Sequence, residues 1–395
     1  MRANRLRMTE SLIDRVRERL AAESAPLRPS VVAAAIRAES GGVLGDTEVL
    51  SNLRKLQTEL TGFGILEPLL RAEGTTDVLV TAPDAVWIDD GNGLRRSSVQ
   101  FADEDAVRRL AQRLALSVGR RLDEAQPWVD GNLSVAARGQ FMVRLHAVLA
   151  PIASGGTCIS LRVLRPATQD LATLTRAGAI PQEACALLDG IIAARLAVLV
   201  SGGTGAGKTT LLAALLGAVA AEERIVCVED AAELHPRHPH VVNLVARSAN
   251  VEGVGEITVR DLVRQALRMR PDRIVVGEVR GAEVVDLLAA LNTGHDGGAG
   301  TVHANNPGEV PARLEALAVL GGLDRLALHS QLAAAVQVLM HVGRDANGMR
   351  RLNEIGVLRR DPTGIVGVAS AWSADTGFGS GADDLRSLLR MRGAL

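Results

Sequence analysis

Nine residues, GGTGAGKTT from Gly202 to Thr210, have the composition and spacing of a phosphate cradle. Gly202, Gly207, Lys208 and Thr209 satisfy the pattern G-x-x-x-x-G-K-[ST]. Glycines let backbone N–H groups turn toward phosphate oxygens with no Cβ in the way. Gly203, Thr204, Gly205, Ala206 and Thr210 complete the loop that would line the ligand. Lys208 is expected to reach the β- and γ-phosphates as a compact point charge, and Thr209 to ligate Mg²⁺. The apolar run LAVLV precedes the loop and LLAALL follows it, so it joins a strand to a helix. The amino end of that helix adds partial positive charge. Of the 44 basic side chains only Lys55 and Lys208 are lysines. A chain that uses Arg almost everywhere has placed Lys208 for chemistry Arg cannot replace.

Phosphoryl transfer also needs a carboxylate that positions water or holds the metal. Glu278, at the end of RIVVGEV, fits the catalytic place, but Gly277 stands where many P-loop enzymes carry Asp. The metal carboxylate is then expected from the end of RIVCVED, where Glu229 and Asp230 reach the carboxyl edge of the same sheet. The stretch TGHDGGAGTVHANN holds His295 and His303. His303 ends the next strand, near the same edge, and His295 lies in the glycine-rich loop before it. An imidazole there can bond a γ-phosphate or a carboxylate and lose that bond when the phosphate leaves, so the pair reads as a nucleotide sensor. Zinc would want three or four ligands, and no Cys or spare His accompanies the two. Arg268 and Arg280 are candidates for the site or a subunit interface, the alternative being a solvated face.

Regular elements must hold these groups. Residues 1–58 read as a helical extension, with Leu12, Val16 and Leu20 and then Val31, Val32 and Ile36 at helical spacing. Residues 59–166 read as an α+β domain. DVLVT and AVWIDD are strands around a Pro-Asp turn, and Asp103 to Val118 is a helix stopped by Gly119. Residues 167–182 read as a Pro- and Thr-rich linker. In 183–395 strands and helices alternate, which implies a mostly parallel sheet with helices on both faces. RRLNEIGVLRR and GIVGVAS read as a terminal hairpin. Thr258 and Asp261 resemble a capping pair.

Composition sets outer bounds. The 395 residues fit two or three domains at roughly 150 residues each. With 47% hydrophobic residues but 2% aromatic and no Tyr, aliphatic side chains must pack the cores. A net charge of −1 gives no general reason to expect nucleic acid or membrane as the main partner. Three scattered cysteines read as free thiols in a reducing compartment. The longest apolar run, Leu211 to Ala221, is far short of the ~20 residues a spanning helix needs, so the expected location is cytoplasmic, with peripheral membrane contact allowed.

GGTGAGKTT, VEDAAELHP, LRMRPDRIVVGEVRGAE and NTGHDGGAGTVHANNP, in that order, resemble the Walker A, Asp box, Walker B and His box of the bacterial secretion and pilus-assembly ATPases. NVEGVGEITVRDLVRQALRMRPDRIVVGEVRG is most similar to the tight-adherence (Tad) pilus and type IV secretion branch, with its conjugal-transfer-associated members. The resemblance covers roughly residues 60–360. It implies a RecA-like P-loop NTPase C-terminal domain, an α+β N-terminal domain and a homo-oligomer, usually a hexameric ring. It also implies that N-domain arginines reach the phosphates; these match Arg144 in MVRLHAVLAP and Arg162 in SLRVL. There are departures. His146 stands where the family has Asn, and the hairpin LSVAARGQFMV before it reads as irregular. GGAG replaces G-S-L-T in the His box, and the four-cysteine metal subdomain of type II secretion ATPases is absent.

The expected function is Mg²⁺-dependent ATP hydrolysis driving motion of an inner-membrane platform protein in a Tad/Flp-type pilus or type IV secretion system. Direct nucleic-acid binding is not expected. Two alternatives remain at this point: a nucleic-acid translocase on the same fold, and an ATP-bound scaffold that does not hydrolyse.

Overall fold

The computed structural model describes residues 16, 19, 29–39, 62–91, 93–135, 141–250, 252–345 and 348–394. Most of the expected 1–58 extension lies outside these; within it Pro29–Glu39 (α1) is helical. The chain divides into two compact units, Met1–Leu164 and Arg165–Leu395.

The first unit runs Glu67–Arg71 (α2), Asp77–Ala82 (β1), Ala85–Asp89 (β2), Leu94–Arg96 (β3), Glu104–Ser117 (α3), Trp128–Val135 (β4), Phe141–Val148 (β5) and Cys158–Leu164 (β6). Its sheet has the order β3-β2-β1-β6-β5-β4, and every neighbouring pair is antiparallel. Asp103 caps α3 by accepting from the Ala106 N–H at 2.7 Å. Alternation along β5 buries Phe141, Val143, Leu145 and Ala147 in one core with Val107, Leu110 and Leu114 of α3. The intervening residues, Arg144 and His146 among them, therefore share the other face. The hairpin read as irregular is a regular ladder from Trp128↔Val148 to Val135↔Phe141; its tip, 136–140, lies outside the described residues. That ladder settles the register of Arg144, which sits opposite Asn132 on one side and Arg162 on the other.

The second unit continues with Leu171–Arg176 (α4), Gln182–Ala193 (α5), Val198–Gly202 (β7), Lys208–Gly217 (α6), Ile225–Glu229 (β8), Val241–Val245 (β9), Val259–Ala266 (α7), Arg273–Val279 (β10) and Glu283–Leu291 (α8). It ends with Ala299–His303 (β11), Val310–Leu320 (α9), Arg325–Ala335 (α10), Val338–Arg344 (β12), Arg350–Arg360 (β13), Val366–Ser373 (β14), Gly377–Phe378 (β15) and Ala382–Met391 (α11). The sheet order is β15-β14-β13-β12-β7-β11-β10-β8-β9. Strands β12, β7, β11, β10, β8 and β9 are parallel, and β13 to β15 add an antiparallel margin. Buried strands of this kind read as continuous apolar runs because both faces are covered. Here alternate residues serve two cores. Val198, Val200, Ile225 and Cys227 face one, with α5, α6 and α11. Leu199, Val226 and Val228 face the other, with α7 to α10.

Two segments differ from expectation. Residues 167–182 are not an extended linker: Asp170 caps α4, and the Ala167 N–H donates to Glu233 O at 3.2 Å, so this stretch packs into the second unit. VVNLV, unassigned in the sequence, forms the edge strand β9. It is only half-buried, so its apolar run is short and carries no strong period.

His329 joins three elements of this unit. It is fully buried; its Nε2 lies 2.8 Å from Glu315 Oε1, and its Nδ1 accepts from the Val366 N–H at 3.0 Å. Replacing His329 with Leu strands a buried N–H, which costs about 1–3 kcal/mol. His329→Leu is therefore expected to lower the urea midpoint of this unit. An unchanged midpoint would remove the His329 bonds from the account of its stability.

Candidate nucleotide site

The parallel strands end together, and their carboxyl edge is where an open α/β sheet places its ligand. Gly202, Glu229 and His303 are the last residues of β7, β8 and β11, and Glu278 is next to last in β10. The sequence-derived acids and His303 meet there because parallel strands in register must end side by side.

The GGTGAGKTT loop turns from β7 into α6. Gly202 has φ +155°, and a Cβ on it would lie 2.3 Å from Val342 O. Gly207, at φ +101°, takes the left-handed conformation directly before α6. Both positions exclude other residues for steric reasons. Lys208 is buried. Its Nζ donates to Gly202 O at 3.1 Å and Gly203 O at 2.9 Å, and lies 3.3 Å from His303 Nε2. Burial pushes its pKa down, and the Glu278 charge works against that.

Glu278 is held from two sides. Arg280 Nη2 donates to Oε2, and His303 Nε2 stands 2.6 Å from Oε1, a close contact and not an aligned hydrogen bond. Burial, then the Lys208 charge, lowers the His303 pKa, with Glu278 acting the other way. His303 is accordingly an uncharged imidazole at neutral pH, touching both Lys208 and Glu278. Arg280 is thus in the site, whereas Arg268 is exposed beyond the end of α7.

Glu229 is 4% exposed. Its Oε1 accepts from the backbone N–H groups of Glu233 at 3.1 Å and Leu234 at 2.9 Å. Its Oε2 is buried and finds no donor among the described residues. Burial raises its pKa to about 7, against the two N–H donors that lower it. Gly277 explains the departure from an Asp-Glu pair: a Cβ there would lie 2.7 Å from Glu229 Cγ. Glycine at 277 is what leaves room for the Glu229 carboxyl. Thr209 Oγ1 lies 3.5 Å from Glu233 Oε2. The unpartnered Oε2 of Glu229, the Thr209 hydroxyl and the Glu233 carboxylate are oxygen donors of the kind that suits Mg²⁺.

Three of the residues selected from sequence are not in this cluster. The loop with His295 precedes β11, so it emerges at the amino edge of the sheet, the full length of a strand away from His303. There His295 Nδ1 bonds Ala290 O at 3.0 Å, at the end of α8. The structure does not bring His295 to the nucleotide loop. Arg144 and Arg162 belong to the first unit, where they are direct cross-strand neighbours on the exposed face of the sheet. Arg144 pairs with Asp130 through two bonds of 2.9 and 3.2 Å, and Arg162 Nε with Asp77 at 2.9 Å.

Four residues escaped the sequence reading: Glu233, His341, Arg344 and Arg350. Glu233 carried a weak signal, lying within VEDAAELHP. The other three come from β12 and β13, over 130 residues after the loop, and no local pattern links them to it.

Residues 59–358 match the family model described as type II/IV secretion system protein. The chain belongs to that family. A Mycobacterium tuberculosis protein named for conjugal transfer is 75% identical over 350 residues, 89% of this chain and 99% of that protein. The type IV secretion system protein PtlH of Bordetella pertussis is 30% identical over 324 residues, 75% of this chain and 93% of PtlH. Among solved structures, the Legionella pneumophila ATPase DotB aligns with TM-score 0.51 at 20% identity, over 76% of this chain and 80% of DotB. The pilus retraction motor PilT, with bound ADP, aligns with TM-score 0.51 at 21% identity, over 78% of this chain and 81% of PilT. These two likenesses show the fold: the second unit of this type II/IV secretion family member is a RecA-like α/β domain.

Glu229 gives a pH test. A carboxyl whose folded pKa is raised contributes stability in full below its unfolded value of 4.5 and loses it as pH rises through about 7. In Mg²⁺-free buffer, Glu229→Gln is expected to gain on the parent between pH 4.5 and about 7, by up to roughly 3 kcal/mol, and no further above that. Melting of both proteins across pH measures it. A difference that stays flat with pH would refute the buried-carboxyl assignment.

Proposed function

We propose that this chain is a Mg²⁺-dependent ATP hydrolase that works as the ring motor of a Tad/Flp-type pilus or type IV secretion system. The observation that carries the reading is the meeting of Lys208, His303 and Glu278 at the lip of the nucleotide loop, with His303 touching both others. The loop amides and the amino end of α6 suit the β- and γ-phosphates. Lys208 exchanges its two carbonyl partners for phosphate oxygens. Glu278 orients the attacking water and takes its proton. The water oxygen bonds to the γ-phosphorus as the β–γ bridging bond breaks, leaving ADP and phosphate. Arg280 holds the Glu278 carboxyl in place, and His303 registers the phosphate through the acid and the amine it contacts. Thr209 and Glu229, with Glu233 beside them, would hold Mg²⁺ or its waters, and the ion supplies charge neutralisation at the phosphates. Arg144 and Arg162 are proposed as further cations for the phosphate charge.

The rest of the reading concerns the assembly: a hexameric ring acting on an inner-membrane platform protein from the cytoplasmic side, with no direct nucleic-acid contact. The net charge of −1 is consistent with that choice of partner. No helix among the described residues is long and apolar enough to cross a membrane. The names of PtlH and PilT support secretion and pilus work respectively.

The test is ATP turnover per subunit against protein concentration, with and without EDTA, for the parent and Glu278→Gln. Turnover is expected to rise with concentration as the ring assembles and to stop on chelation. Glu278→Gln is expected to lose about 10²–10⁴-fold in kcat, the range for a positioned acid or base. A parent that binds ATP without hydrolysing it would replace the motor with a scaffold.

A further inference from the structure

The β12–β13 hairpin touches the nucleotide loop at four successive points. His341, on β12, places Nδ1 2.9 Å from Ser201 Oγ, directly beneath the loop. Val342 O fills the space that a side chain on Gly202 would need. Arg350 Nε, on β13, donates to Gly205 O at 2.8 Å, and Arg344 Nη2 reaches the same oxygen at 3.4 Å. The Arg350 side chain also covers Gly207, where a Cβ would lie 3.5 Å from its Cδ. No sequence proximity requires this: Gly205 and Arg350 are 145 residues apart.

We propose that Arg350, assisted by Arg344, is a positioning residue for the nucleotide loop, which the hairpin holds in its binding conformation from outside. This rests on the ATP hydrolase reading above. The physical reason lies in the loop's composition. Gly202, Gly203, Gly205 and Gly207 have the widest backbone freedom of any residue type, so ordering the loop on ligand binding is costly. A guanidinium on Gly205 O fixes the plane of the Gly205–Ala206 peptide. The Ala206 N–H then faces the opposite way, into the loop, where it meets Gly203 O at 3.3 Å. Orienting loop amides before the phosphates arrive raises affinity without touching the reacting atoms. Arg350 is exposed and distant in role from Glu278, so its removal should alter binding and not the chemical step.

The experiment compares the parent, Arg350→Ala and Arg350→Lys by two readouts. Amide hydrogen exchange of the 201–212 peptide, in protein without nucleotide, reports the loop itself. ATP kinetics report KM and kcat separately. Arg350→Ala is expected to speed exchange in that peptide at least fivefold, with the first unit unchanged, and to raise KM about tenfold at constant kcat. Arg350→Lys is expected to restore part of both, since it keeps the charge but not the geometry of Nε. If exchange and KM match the parent in both variants, the proposal is overturned. A loss in kcat at constant KM overturns it too, because that would place Arg350 in the chemistry. If exchange rises in Arg350→Ala while the parent itself hydrolyses nothing, the hairpin clamp stands and the hydrolase reading falls.

Discussion

A buried ammonium organises the second unit. Lys208 starts a helix beneath a glycine loop and is 7% exposed, so its charge must be met inside the protein. Two carbonyls of its own loop and the field of Glu278 meet it. Burial, and after it the same charge, sets the state of its neighbours. It helps to lower the pKa of both His303 on β11 and His341 on β12, the two strands that flank β7. Two uncharged imidazoles beside one cation can accept and pass hydrogen bonds without adding like charge. A site with protonated histidines in those places would repel its own lysine.

The second constraint is volume. Glu229 and Gly277 compete for one space, since a Cβ on residue 277 would fall within 2.7 Å of the Glu229 side chain. The acid is therefore placed by a residue that contributes no side chain. Thr301 closes the arrangement by donating its hydroxyl to Gly277 O at 2.7 Å, which pins the strand where the carboxyl needs the gap. With no side chain at 277, the acid at this point of the sheet edge comes from the adjacent strand β8. That acid is buried, which is why its pKa rises.

What the sequence disclosed follows from range. The strands β7, β8, β10 and β11, the loop, the Thr258 capping box and the helix α3 are local patterns, each written within about fifteen residues, and each formed where expected. Parallel strands in register then carried Glu229, Glu278 and His303 to one edge, so a topological rule supplied their meeting. His295 failed because an eight-residue separation was read as nearness, whereas the five-residue strand β11 crosses the sheet from edge to edge between the two. The hairpin contacts of Arg344, Arg350 and His341 were illegible for the opposite cause. They link positions about 140 residues apart, and only the strand order β13-β12-β7 brings them together. The supposed linker failed because Pro and Thr mark breaks in regular structure, and such breaks also occur inside a packed domain.

The first unit holds a feature that local stability does not explain. Arg144 and Arg162 are directly opposite on adjacent strands, and like charges in that relation are destabilising. Asp77 stands opposite Arg162 and Asp130 lies diagonal to Arg144, and the two offset part of the repulsion. Both pairs are solvent-exposed, where an ion pair contributes about 0–1 kcal/mol. A Thr or Val at either position would suit an exposed strand better. Two guanidiniums side by side, however, present a double fork of donors matched to a phosphate. Each aspartate is a partner that a more highly charged anion can displace. Two arginines held in directly opposed register, with exposed ion-pair partners, form the kind of surface an anion would favour, which is the ground for proposing the pair a phosphate role.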